Sequence, residues 1–376
     1  MNTADVDALI KGLENQLRMT TESIPVARRA TNFLLVSLRQ TCCGPSAADQ
    51  NQTRCCAIKR SQTERHSPGR LLLLATLFLG MIAAPASAAT NPPPGSSATP
   101  AKESTPREIK GSEPHVFRAM GEVELRLHVV KPAGWDQAQH RACLVSYFGG
   151  GWNSGTPESS IAWARWAAEL GLVGVAPDYR TRNRFASTPE DCIADGRAAF
   201  RWVILHAAEL GIDPQKIVAL GSSAGGHVAA WTAIPAHGPG PDDPPPPFRP
   251  AALILVNPVT DTKAGGYGGP KRFGDSAPRA LACSVPDQMS RNMPPTLVFH
   301  ATADLTVPYA NSVFFRDRMV ANGNRCELVT FQGLGHTYSS SKLWGEEGRK
   351  AEQRTKAEAL NFLRSLSLVG ANGGQP

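Results

Sequence analysis

From residue 123 onward, short apolar runs alternate with longer stretches of helical periodicity. Apolar or alternating runs occur at 123–130, 142–147, 172–176, 216–220, 251–256, 295–300 and 326–331. Their length of five to eight residues and their Val, Ile and Leu content fit strands. Between them, apolar positions at helical spacing cover about 158–170, 189–210, 224–234, 308–322 and 345–366. The second of these has clear start signals. Thr188 is placed to cap, Pro189 suits the first turn, and Glu190 and Asp191 sit at the positive end of the helix dipole. Alternation of this kind predicts an α/β fold: a mainly parallel central sheet with helices on both faces. The first two runs have no helix between them and are expected to pair antiparallel. Two segments break the alternation and are expected to cross the surface without joining the sheet. Residues 235–250 contain four consecutive prolines, Pro244 to Pro247, and 260–292 are rich in Gly and charge.

The first 88 residues read differently. Residues 71–84, LLLLATLFLGMIAA, are apolar and uncharged, but short of the roughly 20 residues a membrane span needs. Lys59, Arg60, Arg65 and Arg70 precede them and Ala86-Ser87-Ala88 follows. Basic stretch, short apolar core and small-residue site describe a secretory signal peptide at 71–88. Seventy residues before the core are too many for an ordinary signal. A stated start upstream of the true one accounts best for this; a long charged leader and an uncleaved signal anchor are the alternatives. The expected location is secreted or periplasmic, or membrane-anchored if the signal stays. Without the anchor no stable membrane insertion is expected. Residues 89–114 have the Pro, Ser and Thr content of a linker, 115–368 are the expected catalytic domain, and 369–376 a flexible tail.

The net charge of +7 changes little. Residues 1–70 carry +4 of it, and the chain from residue 89 only +3, which leaves no electrostatic footprint for nucleic acid. Of eight cysteines, Cys42, Cys43, Cys55 and Cys56 form adjacent pairs, a poor match to zinc-ligand spacing. Cys143, Cys192, Cys283 and Cys326 are scattered; they read either as disulfide partners of unspecified connectivity or as buried thiols. No metal or cofactor is expected.

The candidate chemistry lies in four places. Residues 221–227, GSSAGGH, follow a predicted strand and open a predicted helix. G-x-S-x-G in that context is a nucleophile elbow with Ser223 at its centre; out of context it would be only a Gly/Ser loop. Gly221 and Gly225 let strand and helix approach at the turn. Residues 147–155, YFGGGWNSG, also follow a strand. Acyl transfer develops charge on oxygen, and the backbone N–H groups of Gly150, Gly151 and Ala224 are the expected oxyanion donors. The loop lacks the G-x-x-x-x-G-K-[ST] of a phosphate cradle. A serine needs a base and an acid, in the chain order Ser, acid, His. His227 is too close along the chain, His237 lies in the Pro-rich segment, and His300 ends a strand, where a buried structural role fits better. His336, in a loop after the last strand, is the expected base. Asp304, one strand earlier, is the expected acid, with Asp261 as alternative. Trp152 and Tyr338 flank this site and are expected either to meet substrate or to pack its wall.

These residues together resemble the α/β-hydrolase esterases, especially the hormone-sensitive-lipase-like branch and the secreted acetyl-xylan-esterase-like members near it. The resemblance covers about 115–366, through GGGW (149–152), PDYR (177–180), DPQKIVALGSSAGGH (213–227), NP (257–258), HATADLTVPY (300–309) and GLGH (333–336). It implies ester hydrolysis by Ser223, Asp304 and His336, and structural roles for Asp178 and Arg180. Members commonly carry His before the three glycines and use it to hold the loop; Phe148 stands here, which puts the loop's geometry in question. The same residues serve amidases and formamidases, and the fold also occurs in non-catalytic binding proteins. Neither surface segment has the amphipathic spacing of a lipid-facing lid, so short acyl esters, acetylated carbohydrate above all, are the expected substrates.

Overall fold

The computed structural model describes residues 105–235 and 249–370, all within one compact unit, Ser96–Pro376. The leader, His237, the four prolines and the last six residues lie outside the described residues. Eight strands form one sheet: β1 (Glu113–Met120), β2 (Val123–Val130), β3 (Arg141–Tyr147), β4 (Val173–Pro177), β5 (Ile212–Ser222), β6 (Ala252–Val256), β7 (Thr296–Ala301) and β8 (Cys326–Phe331). Their order is β1-β2-β4-β3-β5-β6-β7-β8. From β4 to β8 the pairs are parallel; β1–β2 and β2–β4 are antiparallel. Five main helices cover the sheet: α1 (Ile161–Glu169), α2 (Pro189–Leu205), α3 (Ala224–Trp231), α4 (Tyr309–Ala321) and α5 (Ser341–Ser365). This is an α/β fold with helices on both faces.

Side-chain alternation explains the two layers. In β6, Leu253 and Leu255 join Phe200 and Val203 of α2, Val228 of α3 and Phe315 of α4. Their neighbours Ala252, Ile254 and Val256 join Trp166 of α1 and Phe362 and Leu363 of α5 on the other face. A strand buried on both sides reads as a continuous apolar run, as ALILV does. Thr188 caps α2 as its sequence predicts: its hydroxyl accepts from the Asp191 N–H, and the Asp191 carboxylate accepts from the Thr188 N–H.

Two features depart from the pattern-based expectation. The pairing of 123–130 with 142–147 does not form. β2 runs antiparallel to the sheet, but its neighbours are β1 and β4, while β3 lies between β4 and β5. The crossover through α1 brings β4 back beside β3 on the side facing β2, and occupies the edge that β2 would have used. The second departure is β1, whose EPHVFRAM carries no apolar run because it is an edge strand with exposed residues and a register shift between Val116 and Arg118. Residues 260–292 hold no strand, but they do more than cross the surface. Phe273, Ala280, Cys283 and Val285 are buried, on or capping short helical turns at Pro270–Phe273, Ala277–Ala282 and Val285–Gln288. Among the described residues no helix is long and apolar enough to cross a membrane.

Candidate active site

Three loops leave the carboxyl ends of parallel strands and meet, the usual position for a site on such a sheet. The first is the turn from β5 to α3. Ser223 sits there with φ 54° and ψ −121°, a conformation costing about 1–3 kcal/mol that persists only where its surroundings enforce it. Its N–H donates to the Val256 carbonyl and its own carbonyl accepts from Val259, so the end of β6 clamps the turn from both sides. The glycines are required by contact. A Cβ on Gly221 would fall against the carbonyl of Gly225, and one on Gly225 against the carbonyls of Tyr147 and Phe148. Elbow and β3 therefore touch backbone to backbone.

His336 follows β8. Its Nε2 lies 3.0 Å from the Ser223 hydroxyl and its Nδ1 2.7 Å from Asp304 Oδ2. Asp304 follows β7 and is buried, with Oδ1 accepting from the N–H groups of Thr306 (2.8 Å) and Val307 (2.9 Å). Burial pushes its carboxyl upward, but the hydrogen bonds from His300, His336 and Val307 outweigh this and hold it well below the usual carboxylate range. Asp261, the other candidate acid, is engaged elsewhere: Oδ1 accepts from the Lys263 N–H at 2.9 Å. His227 is fully buried with Nε2 2.8 Å from the Cys283 carbonyl, and burial pushes its imidazole down to about 4.

The Gly-rich loop after β3 lies over the serine: a Cβ on Gly149 would sit 3.4 Å from Ser223 Cβ. The backbone N–H groups of Gly150, Gly151 and Ala224 are not spent on any hydrogen bond among the described residues. What holds the loop is the segment after β4. The Tyr179 hydroxyl donates to the Phe148 carbonyl at 2.6 Å, and its ring stacks on Phe148 at 3.9 Å. Arg182 and Asn183 donate from their N–H groups to the carbonyls of Trp152 and Asn153, each at 2.9 Å. Asp178 and Arg184 form a buried ion pair beneath, and Arg180 pairs with Asp195 of α2. The Tyr179 ring and hydroxyl thus hold the loop at Phe148, by stacking and by one hydrogen bond to its carbonyl.

Trp152 (φ 61°) is 2% exposed, walled by the rings of His227, Tyr267 and Phe273. Tyr338 is 1% exposed, stacked on Phe331 with its hydroxyl 3.1 Å from Thr355. A cavity of about 600 Å³ adjoins the elbow between α1 and α5, bounded by Gly149, Gly150, Trp163, Ser222, Tyr338 and Glu352. Three residues of the site escaped sequence reasoning. Asn257 donates through Nδ2 to the His336 carbonyl and accepts from the Ala301 N–H at 3.2 Å, tying the histidine loop to β7. Its place in the NP pair was the one available signal. Tyr267 and Arg272 reach Gly151 from the 260–292 segment, which no local pattern foretells.

A model of the alpha/beta hydrolase fold family matches residues 144–340, which span elbow, acid and histidine loop. The chain belongs to that family. Among solved structures, it is similar to an esterase of the planctomycete Thermogutta terrifontis with propionate bound, at 38% identity and a TM-score of 0.63, covering 69% of this chain and 96% of that one. The same esterase with butyrate bound matches at 37% identity with a TM-score of 0.63, over 70% of this chain and 96% of that one. Among curated proteins it is similar to an AB hydrolase superfamily protein of Schizosaccharomyces pombe, 27% identical over 59% of this chain and 70% of that protein. It is also similar to the "probable carboxylic ester hydrolase LipM" of Mycobacterium tuberculosis, 30% identical over 61% of this chain and 55% of that protein. The chain thus spans about half of LipM's length.

Proposed function

We propose that this member of the alpha/beta hydrolase family is a serine carboxylic-ester hydrolase that works through an acyl-enzyme. The observation that carries the reading is the unbroken hydrogen-bond chain from Ser223 through His336 to Asp304 at a strained strand-to-helix turn. In this reading His336 Nε2 takes the hydroxyl proton as Ser223 Oγ attacks the ester carbonyl. The N–H groups of Gly150, Gly151 and Ala224 receive the oxyanion. The imidazolium, oriented by Asp304, returns the proton to the leaving alcohol, and water repeats the sequence on the acyl-enzyme. Fluorophosphonate labelling tests it: wild type should be labelled on Ser223, and Ser223→Ala should lose both labelling and the acyl-enzyme burst while staying folded. Full ester hydrolysis by Ser223→Ala would remove the mechanism.

We read the chain as one of the hormone-sensitive-lipase-like or acetyl-xylan-esterase-like members, on the motifs quoted above, with short acyl esters and in particular acetylated carbohydrate as substrates. Support comes from the propionate and butyrate bound to the similar esterase. With Trp152 and Tyr338 so enclosed, their aromatic rings pack the walls of the site. A series of p-nitrophenyl esters should show kcat/KM falling beyond butyryl. A rise beyond about eight carbons would mean that methylenes contribute binding in an apolar trench, against this reading.

A further inference from the structure

A second histidine, besides the base, touches the acid. His300, at the end of β7, is fully buried, and its Nε2 lies 3.1 Å from Asp304 Oδ2, the oxygen that also meets His336 Nδ1. The neighbours fix which nitrogen donates to the carboxylate. Nε2 is also 3.0 Å from the Val307 carbonyl, and a carbonyl and an ionised carboxylate both only accept, so Nε2 bears the proton. Nδ1 lies 2.7 Å from the Ser312 hydroxyl on α4. These three contacts hold the ring in one orientation. Around it stand Asp304 and Val307 from the β7–α4 loop, Ser312 and the edge of Tyr309 (5.7 Å) from α4, and Thr330 beside it on β8. Asp304 is the charged group among them, and Tyr309 and, through Asp304, His336 are the other titratable ones.

We propose that His300 is a positioning residue that draws charge from Asp304 Oδ2 and thereby sets the pH at which His336 serves as base. The proposal rests on the hydrolase reading above. Two donors share one carboxylate oxygen, so charge given to His300 is withheld from the imidazolium of His336. Orientation does not depend on His300 alone, because two backbone N–H groups hold Oδ1. Removing His300 should therefore change the charge felt by His336 more than the place of the carboxylate, and with more charge available the imidazolium is favoured.

The test is the pH profile of kcat/KM on an ester whose turnover Ser223→Ala abolishes. In His300→Phe the acidic limb should move up by about 0.5–1 pH unit, with KM within about twofold. His300→Gln, which restores an N–H at the place of Nε2, should bring the limb back towards wild type. Ser312→Ala, which releases Nδ1 but leaves the ring, should move it the same way by less. The downfield proton resonance of the His336–Asp304 hydrogen bond should shift in parallel, and it is readable without turnover. Identical limbs and resonances in wild type, His300→Phe and Ser312→Ala would overturn the proposal, as would equal shifts in the Phe and Gln variants. If His300→Phe does not fold, the other two variants decide. An inactive, unlabelled wild type would instead overturn the hydrolase reading.

Discussion

Replacing Tyr179 by Phe removes one oxygen and isolates what holds the oxyanion loop. The ring stays, so its 3.9 Å stacking on Phe148 is kept; what is lost is the 2.6 Å hydrogen bond to the Phe148 carbonyl. Both residues are buried, at 0% and 1% exposure, so water cannot replace the donor. Leaving a buried acceptor unpaired costs about 1–3 kcal/mol. For a domain of this size each kcal/mol lowers Tm by about 2–4 °C, so a central loss of about 2 kcal/mol gives about 6 °C. The functional effect should exceed a general destabilisation. Phe148 precedes Gly149, whose Cα lies over Ser223, and the proposed donors Gly150 and Gly151 come next. Misplacing such donors by about 1 Å costs up to about 100-fold in rate. Thermal unfolding and steady-state kinetics on p-nitrophenyl acetate should show the lower Tm and a fall in kcat of about tenfold or more, with KM within about twofold. A Tm within about 1 °C of wild type and an unchanged kcat would refute the assignment of the loop's support to Tyr179.

Asp304 gives a pH dependence of definite sign. Its carboxyl is held below its unfolded value of about 3.9, so it contributes stability above that pH, and the contribution is lost as pH falls towards the folded value. The Tm gap between wild type and Asp304→Asn should therefore be widest near neutral pH and narrow below about pH 4. Cys143 and Cys192 are free and buried, and burial raises both thiols well above their ordinary range, while Cys283 and Cys326 are pushed up to about 12. Iodoacetamide on native protein at pH 8 should leave Cys143 and Cys192 unmodified by peptide mass spectrometry, with full modification after denaturation; native labelling of either contradicts their burial. The signal-like segment at 71–88 supports export with cleavage after Ala88, so protein recovered outside the cytoplasm should begin at Ala89; mature material that still carries Met1 would count against it.

Local patterns revealed much of this protein because they record local constraints. The run at 251–256 is apolar throughout since both faces of that strand are covered. Gly221 and Gly225 stand where no Cβ fits, so their spacing around Ser223 was legible without coordinates. Helix starts were legible for the same reason, since the Thr188–Asp191 cap is made within four residues. Strand order was not. A run such as VELRLHVV carries its alternation but not the identity of its neighbour, and the placing of β2 beside β4 depends on where the α1 crossover lands. Residues that act at long range stayed equally silent. His300 reads as an ordinary strand-end histidine until β7, its following loop and α4 are packed together around it. Asn257 and Tyr267 come to the site from separate segments with no periodicity to mark them. Phe148 shows the division within one residue: the sequence shows that histidine is absent, but only the approach of Tyr179 from the end of β4 decides that stacking and a hydroxyl hold the loop in its place.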